Sequence, residues 1–178
     1  RSRRQRQMCI RDRAIRAWQT VLAEPVTIRV DGTPFAVTPQ MTRRARGRAR
    51  ASRRPHNRAR QIFHDKLVEE IVNAYAAEIG TDPTQPDRPG LLLSASDYAD
   101  LTEDLLNSPE VQALVEDNWP ILTAPQVVER LLTDRRHLEE ASRTILSDDD
   151  VDYLLRAKDS PFTVPDVPLL DEAAEQLG

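Results

Sequence analysis

The sequence predicts a mainly α protein with one short β-hairpin and roughly seven or eight helices. Three observations carry that expectation. Apolar residues recur at helical spacing through most of the chain, and Ser, Thr or Asp, often followed by Pro, precedes many of these stretches. Only residues 25–38 switch to period two, and they do so around Asp31-Gly32. Of 178 residues 39% are hydrophobic and only 4% aromatic, a thin core that favours helices packed in a layer or against another domain.

Taken in order, residues 1–13 (RSRRQRQMCIRDR) look foreign. They lack an initiating methionine, and MCIRDR resembles one reading frame of a transposon-end sequencing adapter. They are set aside as a non-native tail without a packing partner, the alternative being a native basic arm. Residues 14–23 (AIRAWQTVLA) read as the end of a helix with Ile15, Trp18 and Leu22 on one face. VTIRV and PFAVT flank Asp31-Gly32, a strong hairpin signal. Thr38-Pro39 then offers an N-cap and a proline at the first helical position of a basic helix, 39–54, that stops near Pro55.

Asn57 is placed to cap the following helix, 58–79, whose apolar stripe runs from Ala59 and Ile62 to Tyr75 and Ile79. Gly80 ends it, and TDPTQPDRPG at 81–90 reads as a proline-rich loop. Short helices fill 96–157, with start signals at Ser96, Ser108-Pro109, Thr123, Asp134 and Ser147. His56 reads as part of a cap. Thr163 and Asp166 have capping-box spacing and open a last segment, 163–178.

Charge divides the chain. Residues 1–66 hold 18 Lys+Arg against 4 Asp+Glu, and residues 67–178 hold 7 against 25, so +14 and −18 sum to the overall −4. The basic half is concentrated in 43–63, where nine arginines occur without one acid. On a continuous helix Arg43, Arg46, Arg50, Arg53 and Arg54 would share one third of the circumference, with a small-residue face of Met41, Ala45, Ala49 and Ser52 on another side. Those arginines, with Arg58, are the candidate partner- or nucleic-acid-binding residues. Two readings stand. One is a solvated basic face opposite an acidic partner helix; the other is a stripe of guanidinium forks for phosphates. With no aromatic residue interleaved, stacking on single-stranded bases is poorly supported.

No motif supplies catalytic chemistry. The five glycines (32, 47, 80, 90, 178) form no phosphate loop. VPLLDEA at 167–173 imitates a Walker-B strand, but Pro168 interrupts it and helix formers follow, so Asp171 and Glu172 read as helix residues. Asp148, Asp149 and Asp150 suit the first turn of a helix. His56, His64, His137 and Cys9 make no zinc spacing, and Trp119 reads as a core anchor. No stretch approaches a membrane span; the chain reads as soluble, and its lack of cysteine beyond the tail suits a reducing cytosol.

Four segments together resemble one family. RASRRPHNRARQIF is similar to its R-x-x-x-R-P-H-N-x-A-R-x-x-F stretch, and NWPILTAPQVVERLL to its W-P-x-L-T-x-x-x-x-x-x-L-L stretch. LSDDDVDYLLR is similar to L-[TS]-x-x-[DE]-x-x-L-L-R, and FTVPDVPLLDEAAEQLG to W-T-x-x-D-V-P-L-L-D-E-A-A-E-L-L-G, with Phe162 and Gln176 as departures. The family is the helicase-IV-like, UvrD-related ATPases of actinobacteria known as HelD, which recycle stalled RNA polymerase. The resemblance implies that residues 14–24 and 163–178 flank a helical insertion, 25–162, in the first RecA-like domain of a longer, cytoplasmic P-loop protein. ATP and Mg2+ would bind elsewhere in that parent, with no cofactor, metal or catalytic residue here. The implied partners are core RNA polymerase, DNA and the rest of the parent chain, and no membrane. From a different class, the rival reading is a non-enzymatic nucleic-acid-binding helical module.

Overall fold

The computed structural model describes residues 3–80, 93–143 and 145–178, with side chains from residue 10 onward. It is mainly helical with one antiparallel hairpin, as the sequence predicts. The chain forms two compact units. One comprises residues up to Gln19, Pro55–Arg58 and Pro120–Gly178; the other comprises Thr20–Arg54 and Ala59–Trp119.

The second unit is built on the hairpin and two long helices. Strand β1 (Val26–Val30) pairs with β2 (Thr33–Val37) in the register Ile28↔Phe35. Asp31 and Gly32 both take positive φ, 49° and 73°, the mirror-image turn that follows the natural strand twist. Ile28, Val30, Phe35 and Val37 alternate inward and are buried. Helix α2 (Pro39–Ala51) starts as expected, with the Thr38 hydroxyl accepting from the Met41 N–H. Helix α3 (His56–Ile79) contributes Ala59, Phe63, Leu67, Val68, Ile71, Val72 and Tyr75 to one core with the hairpin. The Tyr75 ring meets Phe35 edge-on at 5.8 Å. Helices α4 (Ala95–Leu106) and α5 (Pro109–Asn118) close that core with Leu101, Leu105, Val111, Leu114 and Val115.

The other unit gathers α1 (Arg3–Arg16), α6 (Ala124–Thr133), α7 (Arg135–Ser142), α8 (Asp148–Leu154), a 3-10 turn at Val164–Asp166 and α9 (Val167–Leu177). Ile15, Leu122, Val127, Val128, Leu132, Ala173 and Leu177 form one cluster. Ala14, Leu131, Leu138, Ala141 and Val151 form another. Arg130 stacks over Trp18, 4.4 Å from the ring centroid.

Several boundaries differ from those expected. The first helix ends at Arg16, and residues 1–13 are not without packing partners: Ile10 lies against the second cluster, and Arg11 is buried beside Glu172. Helix α4 is capped by Ser94, not Ser96. The Ser94 hydroxyl accepts from the Asp97 N–H while the Asp97 carboxylate accepts from the Ser94 N–H, a reciprocal pair Ser96 cannot make. Helix α3 begins at His56, so Asn57 lies inside it rather than capping it. The proline-rich stretch 81–90 lies outside the described residues.

Candidate docking surface

The polar residues of the most distinctive segments are engaged in holding backbone. His56 is buried, with Nε2 2.8 Å from the Pro120 carbonyl and Nδ1 3.1 Å from the Gln19 amide. A carbonyl only accepts, so Nε2 carries the proton and Nδ1 accepts from Gln19. Asn57 grips Leu122 twice: its amide donates to the Leu122 carbonyl and its oxygen accepts from the Leu122 N–H, each at 3.0 Å. Both residues therefore pin a proline-broken stretch whose polar groups no helix can satisfy. Within the other unit, Arg60 Nε donates to the Trp119 carbonyl at 2.9 Å and its guanidinium pairs with Glu116. The Trp119 ring, 1% exposed, stacks on Phe63 at 5.5 Å, the core anchor the sequence predicts.

A second latch joins Arg156 to Asp166. The guanidinium donates to both carboxylate oxygens at 2.7 Å, and Asp166 also accepts from the Thr163 N–H and hydroxyl at 2.7 and 2.8 Å. These bonds, the Arg156 one foremost, hold the Asp166 carboxyl well below the usual carboxylate range. Asp171 and Glu172 lie in α9 as helix residues, and Glu172 faces Arg11. Asp148–Asp150 occupy the first turn of α8, where Asp150 closes a capping box with Ser147.

The arginines do not form one stripe. Helix α2 buries Ala45 and Ala49, as the small-residue face predicts, and Thr42 beside them, whereas Met41 is half-buried and Ser52 exposed. It ends at Ala51, so Arg53 and Arg54 lie beyond it, and Arg53 turns the chain with φ +55°. Arg46 and Arg50 flank the buried face and are half-buried and engaged. Arg44 and Arg48 reach across to α3, pairing with Glu70 and Glu69 at 3.3 Å each. That is the acidic-partner arrangement, made by two arginines outside the expected stripe. Glu69 is held below its usual pKa by Lys66 foremost and by Arg48. Arg43, Arg53 and Arg54 are exposed and make no ion pair with another described residue. Arg58 belongs to the other unit and lies at the C-terminal end of α9, near Gly178.

His56, Asn57 and Arg60 were missed as backbone latches because their partners lie 59–65 positions away, beyond any local pattern. The available signal was the density of polar groups around Pro55 and Pro120, which leave carbonyls to be satisfied. Among the described residues no group of three or more His, Cys, Asp or Glu is placed to hold a metal, and no helix is long and apolar enough to cross a membrane. Neither a protein-family model nor a curated protein matches the chain.

Proposed function

We propose that this chain is a helical arm of a HelD-type, helicase-like motor that releases or recycles stalled RNA polymerase, and that the arm contacts polymerase without an active site of its own. The observation carrying the reading is the use made of the segments that resemble the family. Their distinctive polar residues, His56, Asn57, Arg60, Arg156 and Asp166, are committed to latches that fix backbone. Such residues build a rigid scaffold, leaving recognition to the surface it presents. ATP and Mg2+ belong to the parent chain in this reading, whose phosphate loop and Walker B lie outside residues 1–178.

Two measurements test it. Purified core RNA polymerase should retain the chain in a pull-down at moderate salt, and calorimetry should show no ATP binding. Stoichiometric ATP binding lost on Asp171→Asn and Glu172→Gln would refute the assignment of those residues to a scaffold helix. The second reading, a nucleic-acid-binding module, draws on the exposed Arg43, Arg53 and Arg54. It requires duplex DNA binding that weakens with salt and is lost when those three arginines are replaced.

A further inference from the structure

Within the arginine-rich stretch, charge that is spent must be separated from charge that is free. Arg44 and Arg48 are matched by Glu70 and Glu69, Arg60 by Glu116, and Arg46 and Arg50 are engaged. What remains in that unit is Arg43 on the outer side of α2 and Arg53-Arg54 in the turn that follows it. From these we infer that the arm docks through Arg43 on α2 together with Arg53 and Arg54 in the turn that follows it, and that they take an acidic protein surface. The inference rests on the arm reading above and narrows the six candidate arginines to three.

Arg53 supplies an independent argument. It stands just past the helix end, where the chain turns with φ +55°. Glycine is the usual residue there, because a side chain in the left-handed region costs about 1 kcal/mol or more. The arginine at that position is exposed and without an ion pair to another described residue, so its charge is left for a partner outside this unit's own packing. Along α2 from Arg43 the exposed ridge is nearly bare: Gly47 and Ala51 are exposed, and a Cβ added at Gly47 would meet nothing within 4 Å.

Carboxylates suit this edge better than phosphates. The same helix already pairs with an acidic helix, presenting Arg44 and Arg48 to adjacent glutamates of α3. Three free guanidiniums would neutralise only about three phosphates, too few to hold duplex DNA at physiological salt. A local acidic protein patch asks for no more than three forks.

The test uses the full chain with four readouts: polyglutamate of about 20 residues, a random duplex of about 20 base pairs, purified core polymerase, and sedimentation at low salt. Polyglutamate should bind the native chain, and Arg43→Glu/Arg53→Glu/Arg54→Glu should weaken it at least about tenfold while leaving the circular dichroism unchanged. Arg44→Gln/Arg48→Gln, which touches the spent charges, should change it by less than about threefold. Arg53→Gly should melt higher than the native chain yet bind polyglutamate more weakly, a pair of opposite signs that a merely structural arginine would not give. Polymerase retained by the native chain should be lost in the triple variant. Equal polyglutamate binding by native and triple variant would overturn the inference. So would duplex DNA bound more tightly than polyglutamate and lost in the variant, or self-association abolished by it. Failure of the native chain to retain polymerase, with the polyglutamate result as expected, would refute the polymerase reading and leave the face standing.

Discussion

Replacing Asp166 by Asn tests the Arg156 latch. The carboxylate is 2% exposed and receives four short hydrogen bonds, two from Arg156 and two from Thr163. A charge-assisted bond contributes about 1.5–3 kcal/mol. Arg156 is 31% exposed, so water recovers part of what it loses, and the Asn oxygen still accepts from Thr163. The Asn amide, however, sets N–H against N–H at the guanidinium. Together these give a loss of about 1.5–2.5 kcal/mol. Urea unfolding followed by circular dichroism should show a lower midpoint with an unchanged slope. A double-mutant cycle with Arg156→Gln should return a coupling above about 1 kcal/mol. The sign of the pH dependence follows from the depressed folded pKa. The stabilisation is complete above the unfolded aspartate value, about 3.9, and is lost as pH falls toward the folded value. The gap between native and variant should therefore be flat from about pH 5 to 8 and shrink in acid. A loss below about 0.5 kcal/mol, or a gap that widens in acid, would refute the reasoning.

Other substitutions test separate parts of the structure. Gly47→Ala, in an exposed helix interior with open space at the Cβ position, should stabilise by about 0.5–1 kcal/mol in thermal melts. Trp119→Ala should cost about 3–5 kcal/mol in urea titration by removing the ring that stacks on Phe63, whereas a ligand platform would tolerate the change. Asn57→Ala leaves the Leu122 N–H and carbonyl without their partner and should cost about 2–3 kcal/mol, with Asn57→Ser recovering little because it cannot span both groups. Burial, the largest cause, lowers the pKa of both His64 and His137, so below about pH 6.5 the unfolded chain takes up protons that the folded one refuses. Stability should fall on acidification through that range, and His64→Gln with His137→Gln should flatten the profile.

Local signals were legible where local physics decides. Asp31-Gly32 announced its turn, and Thr38-Pro39 and Ser147 their helix starts, because each depends on groups within four residues. Pro168 and the helix formers after it placed Asp171 and Glu172 in a helix for the same reason. Arg53 and Arg54 were misplaced because nothing in ARASRRP marks Ser52 as the cap when glycine is absent; periodicity carried the helix on toward Pro55. The Ser94 and Ser96 choice turned on which serine had an acid three residues on, a distinction one position fine. Which arginines remained free was not legible at all, since Arg44 and Arg48 are spent by glutamates more than twenty residues away.

The grip of Asn57 on Leu122 has a consequence for how the chain is made. The two residues lie 65 positions apart. At about 5–20 residues per second, a ribosome reaches Leu122 some 3–13 s after Asn57 has been joined. Throughout that interval the first turn of α3 lacks the segment it is built to hold, and His56 and Arg60 wait with it. A nascent chain arrested before Pro120 should thus offer those three side chains to water or to a chaperone, and synthesis of four residues, Trp119 through Leu122, withdraws them together.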